Sequence, residues 1–236
     1  MKKKVWFITG ASKGLGLTLV KTLLEQGYQV AATSRNVSDL EKVVGRANKS
    51  FLPLSADITS ELSVQKAIDQ TIMYFDGLDV VVNNAGYGLT GALEELSSEE
   101  AKQNFEVNVF GSLNVIRKAM PFLRQQKSGH IFNVSSIGGF TGAFPGFGIY
   151  CATKFAVQGF SESLSAEVQP FGVNVTIVSP GYFRTSFLDA SLSVPQHPID
   201  AYQSVRESQE THQNSYNGNQ PGDPEKAAFA MIGVAE

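Results

Sequence analysis

A single cysteine, Cys151, stands among 236 residues. It excludes an internal disulfide and fits a reducing compartment, so a cytoplasmic location is expected. Only three histidines occur, His130, His197 and His212. None sits in a triad context, so no hydrolytic relay and no metal site is expected. Excess charge of one sign is also missing. The formal net charge of -3 gives no electrostatic case for nucleic acid or for an anionic membrane. The only basic run, Lys2-Lys3-Lys4, reads as solvating a strand end. The apolar run that follows it, Val5 to Ile8, is too short for a signal-peptide core or a membrane span, and no longer one appears. What remains is ordinary for a globular chain: 42% hydrophobic, 17% charged and 10% aromatic residues. The length suits one domain over 1–236 with a sizeable core.

Strand and helix patterns alternate. Short apolar runs at Val5–Thr9, Gln29–Thr33, Phe51–Ser55, Asp79–Asn83, His130–Ser135 and Val173–Ser179 read as strands. Helical spacing lies between them. It is expected over Leu15–Gln26, over Ser38–Ala47 with Ser38 as cap and Glu41 closing a capping box, and from Thr59 or Ser60 to Phe75. It is also expected over Ser98–Gln126 with a break near Gly111, over Tyr150–Gln169, and from Asp223 onward. Strands that are apolar throughout, alternating with helices, predict a parallel sheet covered on both faces. The expected fold is therefore an α/β, Rossmann-like, doubly wound parallel sheet in three αβα layers, with ligands at the carboxyl ends of its strands. The stretch 186–221 departs from this pattern. It is rich in Ser, Gln, Asn and Pro, and reads as an excursion that covers a substrate, with short helices near Ile199–Gln213.

Polar and glycine-rich groups gather at those strand ends. After the first strand comes Thr9-Gly10-Ala-Ser12-Lys13-Gly14-Leu15-Gly16. Its glycines permit a tight turn and let a phosphate approach the backbone at a helix N-terminus. The spacing is Gly-x-x-x-Gly-x-Gly, not the commoner Gly-x-Gly-x-x-Gly. It also matches a nucleophile elbow at Ser12, but that elbow normally follows several strands, which disfavours a serine hydrolase. The second strand ends in Thr33-Ser34-Arg35, with no carboxylate before Asp39. Lys13 and Arg35 in place of an acid favour NADP(H) over NAD(H). Further along the same edge come Asp57 and Ile58, then Asn83-Asn84-Ala85-Gly86, then Pro180-Gly181 with Thr185.

The stretch Asn133-Val-Ser135-Ser136 ends a strand in hydroxyls. Fourteen residues on, Tyr150 and Lys154 lie one helical turn apart on one face. An ammonium beside a phenol predicts a lowered phenol pKa and a general acid/base.

These motifs, in this order, resemble the short-chain dehydrogenase/reductase superfamily in its simple single-domain form. The likeness covers about Lys4 to Thr185 and includes Asn108. It implies that Tyr150 exchanges a proton with the substrate oxygen and that Lys154 lowers the Tyr150 pKa and binds ribose hydroxyls. It implies too that Ser136 hydrogen-bonds the substrate oxygen, and that Asn108 holds a water linking Lys154 to solvent. Cofactor contacts are implied at Gly10, Ser12, Lys13, Gly14, Leu15, Gly16, Ser34, Arg35, Asp57, Ile58, Asn84, Ala85, Gly86, Tyr150, Lys154, Pro180, Gly181 and Thr185. Hydride transfer would be the nicotinamide's own chemistry. Members commonly pair long helices, so a homodimer or homotetramer is expected. Two departures stand out. The Ser136–Tyr150 separation is one residue longer than usual, and the chain ends at Glu236 where the family fold adds a seventh strand, so the sheet is expected to lack it.

The substrate wall is expected from Phe140, Phe144, Phe147, Tyr182, Phe183, Phe187 and Leu188, beside 84–91. An apolar pocket with one polar pole at Ser136 and Tyr150 suits a hydrophobic ketone, aldehyde or secondary alcohol. The alternative is a non-catalytic NADP(H)-binding sensor or scaffold. Intact Asn108, Ser136, Tyr150 and Lys154 argue against it.

Overall fold

The structure is a computed structural model and describes residues 3–236; Lys2, part of the basic run, lies outside them. Each short apolar run becomes a strand whose side chains alternate between two helical layers. In chain order the elements are β1 (Val5–Ile8), α1 (Gly14–Glu25), β2 (Gln29–Ser34), α2 (Val37–Val43), β3 (Phe51–Ser55), α3 (Glu61–Phe75), β4 (Val80–Asn83) and β5 (Gly88–Leu89). There follow α4 (Ser98–Phe105), α5 (Gly111–Gln126), β6 (Gly129–Val134), α6 (Gly148–Val168), β7 (Val173–Val178), α7 (Phe187–Ala190), β8 (Leu192–Ser193), α8 (Gln203–Glu210) and α9 (Pro224–Ala235). The main sheet has six parallel strands in the order β3-β2-β1-β4-β6-β7. β1 and β4 adjoin although β2 and β3 lie between them in sequence, so the winding reverses there and opens a crevice at the strand ends. Register brings those ends level: Ile8 pairs with Ala32 and with Val82, and Asn83 pairs with Asn133.

Period-two alternation divides the core. Phe7, Ala31, Val81 and Ile131 face α3, α5 and the end of α6. Trp6, Ile8, Val30, Val82 and Phe132 face α1 and α9 through Leu19, Leu23, Ala228, Met231 and Ile232. Trp6 lies flat over Phe132 at 6.0 Å and edge-on to Tyr28 at 6.1 Å. At the amino end of β1, Lys3 sits over the Tyr28 ring and Lys4 donates to the Ala235 carbonyl.

Some helix boundaries differ from expectation; α2, for one, stops at Val43 and not at Ala47. α2 is capped by Asn36, whose Oδ1 accepts from the Ser38 N–H, not by Ser38. Asparagine takes the same role two residues earlier. α6 begins two residues before Tyr150, at Gly148. The break expected near Gly111 is a π-helical turn over Glu106–Phe110. A Cβ on Gly111 would lie 2.6 Å from the Ile58 side chain, so glycine lets α5 close on the loop after β3.

The 186–221 stretch folds onto the loop after β5. β5 and β8 form a two-stranded parallel ladder, and a second π-helical turn, Thr211–Tyr216, extends α8. Sequence alone offered no alternating pattern long enough to reveal either two-residue strand. Acidic side chains of the loop do the fastening. Glu95 is fully buried, accepts from the Ala92 and Ile199 N–H groups at 2.7 Å each, and pairs with Arg206. Burial alone would raise the Glu95 pKa, but these two N–H groups and the Arg206 guanidinium outweigh it and hold the carboxyl below its usual range. Gln209 continues the network, accepting from Arg206 and donating to Thr90. Arg206→Ala would leave the Glu95 carboxylate buried without its counter-ion. The expected cost is about 2 kcal/mol in chemical denaturation; a loss below roughly 0.5 kcal/mol would show that the N–H groups alone fasten the excursion.

Candidate active site

The glycine turn is built to leave backbone N–H groups open. Gly10 and Gly14 both adopt positive φ, 63° and 59°, which favours glycine. A Cβ on Gly10 would lie 2.7 Å from the Ala85 backbone, so the turn and the loop after β4 touch through bare backbone. α1 has no side-chain cap, since its N-cap is Lys13. Its first N–H groups face the crevice and suit an anion. Thr9 and Asn84 tie the turn down. Thr9 Oγ1 accepts from the Asn84 and Ala85 N–H groups, while Asn84 Nδ2 donates to the Thr9 and Gly10 carbonyls at 2.9 and 3.0 Å. Asn84 therefore spends its amide nitrogen on holding the turn. Gly16 lies behind the turn. A Cβ there would reach 2.4 Å from Asn84 Nδ2, so its role is close packing, and it does not border the crevice.

A cavity of about 550 Å³ runs along the carboxyl ends of the strands. Its wall includes Gly10, Ser12, Lys13, Gly14, Leu15, Ser34, Arg35, Asp57, Ile58, Asn84, Ala85 and Gly86 from the first half of the sheet. From the second half it includes Ser136, Tyr150, Lys154, Pro180, Gly181 and Thr185. Lys13 and Arg35 are near enough that burial, then the Arg35 charge, lowers the Lys13 pKa, with Asp189 opposing. Two facing cations at this end suit a phosphate. Lys13 Nζ also donates to the Ala190 carbonyl at 2.6 Å, joining the glycine turn to the excursion.

At the other end, a buried polar ladder fixes β6 against β4 and α6. Asn83 Nδ2 donates to Asn133 Oδ1 at 2.8 Å, and Asn133 Nδ2 donates to Ser161 Oγ at 2.8 Å. Ser135 Oγ turns inward and donates to the Lys154 carbonyl. That leaves Ser136 beside Tyr150 on the cavity wall, close enough for its hydroxyl to lower the phenol's pKa. Ser136 Oγ also accepts from the Gly138 N–H at 3.1 Å, which orients it. Lys154 Nζ donates to the Val134 carbonyl at 2.9 Å and lies 5.7 Å from the Tyr150 ring centre.

Asn108 sits in the π-helical turn, a feature often found at functional sites. Its side chain does not border the cavity. It accepts from the Tyr87 N–H and donates to the Tyr87 carbonyl and to Thr153 Oγ1, which in turn donates to the Tyr150 carbonyl. Asn108 thus braces the first turn of α6 around Tyr150. Gly86 keeps the space between Asn108 and Lys154 open: a Cβ there would lie 3.0 Å from Asn108 Oδ1 and 3.8 Å from Lys154 Nζ.

The expected lowering of the Tyr150 pKa is overturned. Burial drives the phenol up to about 12, against the Ser136 hydrogen bond that lowers it. Burial likewise lowers Lys154, to about 8. The spacing argument treated both groups as if in water; on one buried helix face, desolvation is the largest cause of each shift. Tyr150 therefore holds its proton at neutral pH and is poised as a donor.

The apolar wall comprises Phe144, Phe147, Tyr182, Phe183, Phe187 and Leu188, with Leu192. Phe140 is the exception: it is 65% exposed and lies off the cavity. Arg184 reaches the Gln220 and Pro221 carbonyls and the start of α9 at Asp223, so it fastens the return of the excursion. Sequence reasoning missed His212, which borders the cavity and bonds to Tyr182 Oη at 2.9 Å. Its signal was weak, a lone histidine in a polar segment.

A family model described as short chain dehydrogenase matches residues 4–194. A curated relative, 3-ketodihydrosphingosine reductase of Bacteroides thetaiotaomicron, is 41% identical over 189 residues, covering 80% of this chain and 67% of its own. A short-chain dehydrogenase from Streptomyces avermitilis superposes with a TM-score of 0.87 at 35% identity, over 97% of this chain and 83% of its own. Two solved structures at 26% identity contain nicotinamide cofactors. A 3-ketoacyl-(acyl-carrier-protein) reductase from Brucella melitensis, with NADH, has a TM-score of 0.83 over 99% of this chain and 91% of its own. ElxO, with NADP, has a TM-score of 0.80 over 99% of this chain and 92% of its own.

Proposed function

Because the chain belongs to the short-chain dehydrogenase/reductase family, an oxidoreductase family, we propose that it uses NADP(H) and reduces an apolar ketone or aldehyde, or oxidises the matching secondary alcohol. One observation carries the reading: Ser136, Tyr150 and Lys154 converge at one end of a single cavity whose other end is the open glycine turn with Lys13 and Arg35.

The residues fit a nicotinamide dinucleotide. The α1 N-terminus and the Gly10–Gly14 turn offer N–H groups to a pyrophosphate, and Lys13 with Arg35 offers charge to a 2′-phosphate. Pro180 and Gly181 border the same cavity, and Thr185 lies against the glycine turn, 3.7 Å from where a Cβ on Gly14 would stand. A bound nicotinamide supplies or accepts the hydride. Ser136 orients the substrate oxygen, and Tyr150 gives its proton to that oxygen as the carbonyl is reduced. Lys154 keeps a positive charge behind Tyr150 and stabilises the developing phenolate. Asn108 holds the first turn of α6 in place. Phe144, Phe147, Phe187 and Leu188 exclude water around the reacting carbon. The curated relative named as a ketone reductase supports a carbonyl substrate with an apolar portion.

Two measurements test this. Titration of protein fluorescence with NADPH and NADH is expected to show tighter binding of NADPH. NADPH-dependent loss of apolar ketones is then expected in a turnover assay; NADPH binding without turnover across such a panel would favour the non-catalytic sensor. Arg35→Asp should exchange a phosphate-binding cation for a carboxylate able to accept ribose hydroxyls. The ratio of NADPH to NADH affinity is expected to fall by about a hundredfold, the loss of one charge-assisted contact and the gain of a repulsion. An unchanged ratio would remove Arg35 from the phosphate site.

A further inference from the structure

The cavity has a second polar group that the mechanism does not use. Tyr182, just after β7, and His212, in the π-helical turn of the excursion, both border it. They come from segments thirty residues apart and meet at 2.9 Å between Tyr182 Oη and His212 Nε2. His212 Nδ1 lies 2.7 Å from the Ser208 carbonyl. A carbonyl only accepts, so Nδ1 carries the hydrogen. In the neutral imidazole Nε2 is then the acceptor, and the Tyr182 hydroxyl must be the donor. The Tyr182 proton is thereby committed to His212, while its oxygen keeps a lone pair. His212 is buried and cannot turn freely: Phe147, Tyr216 and Tyr182 surround its ring at 4.7, 5.4 and 5.7 Å.

This makes the two polar ends of the pocket complementary in kind. Ser136 and Tyr150 offer donors to an oxygen. Tyr182 offers an acceptor. Phe147 adjoins both, its ring 6.3 Å from Tyr150 and 4.7 Å from the His212 that holds Tyr182.

We infer that Tyr182, oriented by His212, is a specificity-determining residue that accepts a hydrogen bond from a hydroxyl or N–H on the apolar portion of the substrate. The inference rests on the carbonyl-reductase reading above and narrows it. The preferred substrate is an apolar carbonyl compound with a hydrogen-bond donor at the end of its apolar portion away from the reacting carbon. His212 acts through Tyr182 as a positioning residue.

Benzylacetone and its para-hydroxy derivative are suitable probes, because they differ by one donor placed a ring beyond the chain that carries the carbonyl. With NADPH, the wild-type protein is expected to favour the hydroxylated ketone by about tenfold in kcat/KM, mostly through KM, the effect of one good hydrogen bond. Tyr182→Phe removes only the oxygen and should bring the ratio of the two ketones close to one. His212→Leu should do the same. His212→Gln should restore part of the preference, since an amide can donate to the Ser208 carbonyl and accept from Tyr182. Parallel losses for both ketones in Tyr182→Phe, with the ratio kept, would overturn the inference. So would a wild-type protein that binds NADPH but handles the hydroxylated ketone no better than the plain one. A wild-type protein that binds neither NADPH nor NADH would instead defeat the underlying reading of the site.

Discussion

Tyr150→Phe is expected to lower the rate of ketone reduction by roughly a thousandfold or more, the upper part of the range for a general acid. NADPH affinity should fall by no more than about fivefold, the loss of one neutral hydrogen bond. The substitution deletes one oxygen from a side chain that is 8% exposed and packed against Phe147 and Phe187, so the cavity wall survives it. The two readouts part because the phenol is placed to act on the substrate oxygen, while the glycine turn, Lys13 and Arg35 hold the other end of the cofactor. The pH profile sharpens the test. Tyr150, pushed up to about 12 by burial, is protonated throughout the physiological range and available as a donor. Lys154, lowered to about 8, loses its charge far earlier. Reduction by the wild-type protein should therefore hold steady below pH 8 and decline as pH rises through about 8, through Lys154 and not Tyr150. Substantial residual turnover in the phenylalanine variant would show that the proton comes from elsewhere, Ser136 being the nearest candidate.

The contrast between Tyr150 and the excursion shows what the sequence made legible. Periodicity located the six sheet strands because continuous apolar runs have few other folded destinations. Glycine spacing located the crevice, because a turn that presses backbone on backbone at Ala85 admits no side chain at Gly10. Those constraints are local, or nearly so. The direction of the Tyr150 shift was misread because burial is a tertiary quantity, and helix spacing says nothing of it. Asn108 was found by its motif, yet its bracing contacts to Tyr87 and Thr153 span 21 and 45 residues and leave no local trace. His212 was passed over for the same reason. Its meaning depends on Tyr182, and the fastening of the excursion, by Glu95 and Arg206 among other contacts, brings the two together. Phe140 shows the reverse error. Composition put it in the pocket, but a turn tip in the long Ser136–Tyr150 loop leaves it in solvent.

Lys154→Met should separate stability from function. Lys154 is 6% exposed, and among the described residues the one acceptor of its ammonium is the Val134 carbonyl. Burial disfavours its charge, and the folded pKa of about 8 lies below the unfolded value of about 10.4. Between those values the unfolded chain binds more protons than the folded one. The destabilisation from the buried charge is fully present below about pH 8 and fades as pH rises toward 10.4, so this group makes stability increase with pH in that window. Methionine has a similar length and no charge to desolvate, although the Val134 carbonyl loses a donor. The net expectation at pH 7 is a gain of about 1 kcal/mol, or a rise in Tm of about 2–4 °C. The wild-type rise in stability above pH 8 should flatten in the variant. Turnover should meanwhile fall by about a hundredfold, because no positive charge remains to stabilise the developing phenolate. The two effects have one origin. An ammonium buried for chemistry weakens the fold that carries it, and such sites commonly trade stability for activity. A variant with lower Tm and unchanged pH dependence would mean that the ammonium is well paired in the folded state, and the charge on Lys154 would then have to be explained as structural.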